Sequence, residues 1–217
     1  MRTPKSIAHA PRSYRSDLRR QQAEATRTRI IEAAAELFAA DGYARTTLAS
    51  IAAAAGVSAE TVQGHGPKAA LMIAAVEHAA VGVAGEDNVL DLDIGRELIA
   101  ARDRDEAVDL LVATQTRVHQ NSARLAGALI GAAYADPELD RFRRDLTADV
   151  TLQVRRVLEI YRDRGWLRTD VPFDEQVVGS AALGGIETYL RLRDGGWDVD
   201  TYREWCRRML RETVFAR

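Results

Sequence analysis

Ile51-Ala52-Ala53-Ala54-Ala55-Gly56-Val57-Ser58-Ala59-Glu60-Thr61-Val62 reads as two short helices joined by a tight turn. Ala52 is small enough to let a second helix cross closely. Four residues later, Gly56 can take the left-handed conformation that ends a helix at little steric cost. Ser58 then offers a side-chain oxygen to cap the next helix, whose first turn is Ala59-Glu60-Thr61. Ile51, Val57 and Val62 are the apolar residues placed to hold the two helices together. This is the order of a helix-turn-helix, in which the second helix enters the DNA major groove. An Ala–Gly pair at this spacing is common by chance, so the flanking segments decide the matter.

Upstream, residues 22–40 form a helix with Ile30, Ile31, Ala34, Leu37 and Phe38 at helical spacing and Glu32 and Glu36 pointing elsewhere. Asp41-Gly42-Tyr43 ends it through a glycine stop, and Thr46 or Thr47 caps the next helix, through Leu48 and Ile51 to Ala54. Downstream, the third helix covers roughly residues 59–64, Gly64-His65-Gly66-Pro67 breaks it, and Pro67 suits the first turn of a fourth. The stretch Arg29-Ile30-Ile31-Glu32-Ala33-Ala34-Ala35-Glu36-Leu37-Phe38-Ala39-Ala40-Asp41-Gly42-Tyr43 resembles the opening helix of the TetR (tetracycline-repressor-like) family of bacterial regulators. The resemblance continues through Thr46-Thr47-Leu48-Ala49-Ser50-Ile51-Ala52, Ala55-Gly56-Val57-Ser58 and Thr61-Val62 to Lys68-Ala69-Ala70-Leu71, about fifty residues in all. Two departures stand out. Gln63 occupies a position where the family usually has tyrosine, and residues 64–68 are about one residue short and lack the family's phenylalanine.

The resemblance implies that the helix after Ser58 reads bases, with Ala59, Glu60, Thr61 and Gln63 as candidates. Gln can pair bidentately with adenine, Glu can accept from cytosine, and Ala or Thr can touch a thymine methyl. Thr46, Thr47 and Lys68 sit where family members contact the DNA backbone, with Arg27 and Arg29 as additions. Ser58 and His65 complete the set of DNA-contact candidates, while Ser58 and Thr47 would equally serve as helix caps alone, Glu60 as a first-turn residue favoured by the helix dipole, and His65 as a loop residue with no role.

Composition supports a helical chain. The 217 residues are 47% hydrophobic and 29% charged, rich in Ala, Leu, Glu and Arg, with five prolines and 15 glycines. The net charge of −2 hides an asymmetry: residues 1–78 hold ten basic residues against seven acidic ones. Before Ile30, Arg2, Lys5, Arg12, Arg15, Arg19, Arg20, Arg27 and Arg29 face only Asp17 and Glu24, a flank able to neutralise phosphates or to remain a solvated tail. Cys206 is the only cysteine, which removes an intrachain disulfide and a thiolate metal cluster and fits a reducing cytoplasm. The basic N-terminus lacks an apolar run before a cleavage site, so no secretory signal is expected, and the longest apolar run, Leu125–Ala135, is too short to span a bilayer. Enzyme chemistry has little support: no nucleophile–base ordering or glycine-rich phosphate loop is present. His9, His65, His78 and His119 lack zinc spacing. No metal or cofactor is expected.

The expected fold is all-α with about nine helices: a flexible basic arm (1–21), a helix-turn-helix domain (22–80) and a helical effector-binding and dimerisation domain (81–217). In the last, Gly85–Asn88 reads as a turn, followed by a partly helical link to about Arg102. Helices are expected at about 105–120, 122–135, 138–164, 173–193 and 199–214. The penultimate helix is small-sided, with Val178, Ala181, Ala182, Gly185, Ile186 and Leu190. The last offers Tyr202, Trp205, Cys206 and Met209. Either set could be core; the resemblance implies a homodimer paired through these two helices, reading two half-sites of a palindromic operator. It also implies a small-molecule effector among the C-terminal helices. Polar or aromatic residues on apolar faces mark candidates: Gln115, His119, Tyr134, Trp166, Glu187 and Tyr189. The function implied is a cytoplasmic repressor that releases its operator when the effector binds. The rival is a helical ligand-binding or scaffold protein whose DNA surface has decayed.

Overall fold

The computed structural model describes residues 12–79 and 89–216, with side chains from Arg20 onward. Residues 1–11 of the expected basic arm, the turn at Gly85–Asn88 and the expected domain boundary at residue 80 lie outside the described residues. The described residues hold ten α-helices and no strand beyond one isolated bridge between Leu167 and Phe215. The helices are α1 (Arg12–Arg45), α2 (Leu48–Ala55), α3 (Ala59–Gln63), α4 (Lys68–Ala79), α5 (Asp93–Ile99), α6 (Arg104–Ala133), α7 (Pro137–Asp163), α8 (Phe173–Leu183), α9 (Ile186–Asp194) and α10 (Val199–Thr213). A 3₁₀ turn, Val89–Asp91, precedes α5. No helix among the described residues is long and apolar enough to cross a membrane.

Helix α1 begins at Arg12, so the second half of the expected arm is helical. Gly42, with φ of +77°, interrupts it where the glycine stop was expected. Helices α1 to α4 close around Ile30, Ala34, Phe38, Ile51, Val62, Leu71 and Met72. That core continues into the second half of α6 (Leu125, Leu129) and the start of α7 (Leu139). The first half of α6 belongs to a second core, with Val157, Leu158 and Tyr161 of α7, Val177 of α8, Tyr189 of α9 and Tyr202, Cys206 and Leu210 of α10. One helix therefore runs through both cores.

The expected break between residues 120 and 122 does not occur. Ser122 donates its hydroxyl back to the Val118 carbonyl at 2.8 Å, so it is satisfied without leaving the helix. The expected single helix over 173–193 is instead divided at Gly184-Gly185. A Cβ on Gly184 would stand 2.6 Å from Oε1 of Gln115, and one on Gly185 would stand 3.0 Å from the Ala181 carbonyl. Two side-chain-free residues let α9 leave the line of α8 while α6 passes close by.

Candidate nucleic-acid interface and ligand cavity

The turn between α2 and α3 is built as its residues dictate. Thr47 caps α2 in a reciprocal box with Ser50: the Ser50 N–H donates to Thr47 Oγ1, and the Thr47 N–H to Ser50 Oγ, both at 3.0 Å. Gly56 ends α2 at φ 65°, ψ 40°, and the Val57 N–H reaches the Ala52 carbonyl at 3.0 Å. Ser58 Oγ accepts from the Thr61 N–H at 3.1 Å and pairs with Thr61 Oγ1 at 2.8 Å. Helix α3 is held by a single fully buried residue, Val62. Ala59, Glu60 and Gln63 remain exposed, and Thr61 is half-buried. A short capped rod is thus plugged into the core by one side chain and offers the rest of its surface to solvent. Replacing Ser58 by Ala removes the cap and should destabilise the chain by about 1 kcal/mol in chemical denaturation.

The backbone candidates separate. Thr47 is exposed, whereas Thr46 is buried and donates its hydroxyl to the Gly42 carbonyl at 2.9 Å. Lys68 turns inward: Nζ donates to the carbonyls of Tyr43 (2.8 Å) and Thr46 (3.1 Å) and lies 4.2 Å from the centre of the Tyr43 ring. It closes the α1–α2 corner from the start of α4, which leaves at most one of its three donors for a phosphate. Lys68→Ala should therefore cost about 2 kcal/mol of stability in the absence of DNA. Unchanged urea denaturation would show that the lysine does not hold this corner. Arg27 and Arg29 are exposed, Arg27 beside Glu24 at 3.8 Å and Arg29 donating to Thr26 Oγ1 at 3.4 Å. Arg27 and His65 both line a shallow groove that also carries Glu77 and Glu138, so its charge is mixed.

Two adjoining chambers lie among the C-terminal helices. The larger, about 410 Å³, is walled by Val76 and Ala79 of α4 together with α6, α7, α8 and α9. The smaller, about 150 Å³, lies between α5, α6, α7, α8 and α10. Gln115 and His119 line the smaller chamber, and His119 borders both. Glu187 lines the larger, its carboxylate 3.5 Å from Arg143. Tyr189 is buried behind His119, ring centres 5.1 Å apart, and supports the imidazole from outside the chambers. Tyr134 and Trp166 line neither chamber. Tyr134 follows the last turn of α6 and is 90% exposed; Trp166 packs at a tilt against Tyr161 at the far end of α7. Sequence reasoning missed Ser180, Thr114 and Gln153 in the smaller chamber and Arg143 and Thr147 in the larger. Gln153, a polar residue inside the apolar stripe of α7, was the available signal.

His119 is 5% exposed, and Nδ1 lies 3.2 Å from the Tyr202 hydroxyl, which also accepts from Gln115 Nε2 at 3.3 Å. Burial pushes the imidazole down to about 4, with the Gly184 backbone opposing the shift. Below pH 6.5 the unfolded chain takes up a proton that the folded chain refuses. Stability from this residue is therefore intact above 6.5 and drains away as pH falls toward 4, by up to roughly 3 kcal/mol. His119→Gln should flatten the stability–pH curve in that window. Parallel curves for the variant and the parent would contradict a neutral buried imidazole.

The pairing candidates also divide. Tyr202 and Cys206 are 0% and 1% exposed within the single chain, so they are core rather than a surface for a second copy. They sit on the inward stripe of α10, against α6 and α8. Val178 is 60% exposed and Ala182 is exposed; Leu190, Trp205 and Met209 are half-buried. Val178, Ala181, Ala182, Gly185 and Ile186 also form the wall of the larger chamber.

Residues 30–75 match the family described as bacterial regulatory proteins, tetR family. No curated protein matches the chain. Several solved structures share its fold. One, from Saccharomonospora viridis, is described as a transcriptional regulator in complex with choline: 21% identical, covering 90% of this chain and 100% of that one, TM-score 0.71. A second is the SmeT–triclosan complex, at 21% identity, 88% and 92% coverage and a TM-score of 0.65. A third is NalD, the secondary repressor of the MexAB-OprM multidrug efflux pump in Pseudomonas aeruginosa, at 22% identity, 89% and 98% coverage and a TM-score of 0.64. At these identities the likeness is one of fold.

Proposed function

We infer that this chain, whose residues 30–75 carry the DNA-binding domain of the tetR family of bacterial regulatory proteins, is a homodimeric repressor that leaves its operator when a small molecule enters the C-terminal chambers. One observation carries the reading: Val76 and Ala79, on the last turns of α4, wall the larger chamber, while Lys68 at the start of α4 holds the α1–α2 corner. The same helix touches the ligand space and the DNA-binding core. A ligand that fills the chamber displaces α4, and with it the spacing of the two α3 helices in a dimer. It does so only as far as it binds the two packings unequally. Choline and triclosan in the structural relatives fit the same general use of this domain. Exposed Val178 of α8, with half-buried Leu190 of α9 and Trp205 and Met209 of α10, is the surface offered for pairing.

The test is fluorescence anisotropy with a duplex spanning the region upstream of the chain's own gene, across a salt series. Gln63→Ala should relax preference at one base position by about 1–3 kcal/mol while leaving the salt slope in place. Absence of specific binding to every upstream fragment would favour the ligand-binding or scaffold reading instead.

A further inference from the structure

We propose that the two chambers form one site for an uncharged, elongated, mostly apolar molecule whose single polar end, a hydroxyl or carbonyl, hydrogen-bonds to Ser180. This rests on the reading of the C-terminal domain as an effector site and names the class of effector it takes. The chambers share Val118, His119, Val150, Ala181 and Gly184, so they adjoin along one wall.

Ser180 marks the polar end. Ser180 lines the smaller chamber, and its buried hydroxyl has no hydrogen-bond partner. A helical serine ordinarily donates to the carbonyl one turn back, as Ser122 does to Val118. Ser180 makes no such bond, and a buried hydroxyl left unmade is costly. The neighbouring polar groups are already engaged among themselves: Gln115 Nε2 with the Tyr202 hydroxyl, the same hydroxyl with His119 Nδ1, and Gln153 Oε1 with the Val89 N–H at 2.9 Å. Among the polar side chains of the smaller chamber, Ser180 is the one whose fully buried polar atom has no partner.

The charge balance of the smaller chamber excludes an ion. No Asp, Glu, Lys or Arg lines the smaller chamber. His119 stays neutral at ordinary pH because burial lowers its pKa to about 4. An ammonium or carboxylate placed there would lose its hydration with no opposite charge to replace it. In the larger chamber Arg143 is the lining cation, and it is held by Asp140 at 3.1 Å and Glu187 at 3.5 Å. A ligand anion would compete with two carboxylates already in place. Leu125, Leu129, Leu146 and Ile186 give this chamber its apolar lining, which suits a hydrocarbon body reaching toward Val76 and Ala79.

Three compounds with the same ten-carbon chain separate head-group charge from hydrophobic burial: 1-decanol, decanoate and decyltrimethylammonium. Each is titrated calorimetrically into the full-length protein at neutral pH, the two ions below their micellar concentrations and decanol below its solubility limit, with operator binding measured on the same preparation. Decanol should bind at least about tenfold tighter than either ion. Ser180→Ala should weaken decanol by about three- to tenfold while leaving the melting temperature at or above that of the parent, because the hydroxyl makes no bond in the folded chain. An ion that binds as tightly as decanol, decanol failing to bind, or a Ser180→Ala variant with full decanol affinity each overturns the proposal. If operator binding persists in those cases, only the ligand class falls; if specific DNA binding is also absent, the regulator reading falls with it.

Discussion

Phe38→Ala is expected to cost about 3–5 kcal/mol of folding stability and, with it, the support of α3 on which the proposed operator binding depends. Phe38 is fully buried at the centre of the N-terminal core and stacks on Tyr43, ring centres 5.7 Å apart. Tyr43 in turn lies beneath the Lys68 ammonium and donates its hydroxyl to Asp136 Oδ2 at 3.3 Å. Asp136 also caps α7 through the Glu138 and Leu139 N–H groups, at 3.0 and 3.4 Å. Removing the Phe38 ring opens a cavity and frees Tyr43 at the same time, so the loss spreads from α3's support to the α6–α7 corner. Burial and the nearby Asp136 hold the Tyr43 phenol up at about 12, so it remains a donor throughout the physiological range. Urea denaturation followed by two probes, one in each core, checks the coupling. A cost below about 1 kcal/mol would contradict the packing described here.

Gly95→Ala is the second large effect, and its sign opposes helix propensity. In an ordinary helix interior the change would stabilise by about 1 kcal/mol. Here a Cβ would stand 1.9 Å from the Val89 carbonyl oxygen and 2.8 Å from the Leu90 Cα, both backbone atoms. The 3₁₀ turn must move off α5, and overpacking of this kind costs about 2–3 kcal/mol net. The turn is fixed from the other side as well, since the Val89 N–H donates to Gln153 Oε1. Val89, Leu98 and Gln153 all line the smaller chamber, so the same change should weaken ligand binding there. A Gly95→Ala variant as stable as the parent in denaturant would mean that the turn does not sit on α5.

The local features were readable in the sequence because their causes are local. Gly42, Thr47, Gly56 and Ser58 each terminate or cap a helix using atoms within a few residues, and each does so in the structure. The helical pattern of Ile30, Ala34 and Phe38 marked a buried face for the same reason. What depended on distant partners was not readable. Lys68 has the chemistry of a phosphate contact, and only the fold shows Tyr43 and Thr46 offering it two carbonyls. Tyr202 and Cys206 repeat at a spacing that serves a core and an interface equally well, and α6 and α8 turn out to cover them. Tyr134 and Trp166 were singled out by residue type, yet one sits past the end of α6 and the other beyond α7. Ser180 carried no signal at all, since a serine in a small-sided helix is ordinary until its missing partner is seen. The break at Gly184-Gly185 was visible as two glycines. Its reason, the approach of Gln115, was not.

The most direct measurement is a nuclease footprint of the full-length chain on the DNA upstream of its own gene, run at several salt concentrations. A dimer presenting two exposed α3 helices should protect two inverted half-sites whose centres lie one helical turn, about 34–36 Å, or a whole number of turns apart, with protection fading as salt rises. Protection of a single unpaired site, or none on any upstream fragment at low salt, would contradict a dimeric operator-binding regulator.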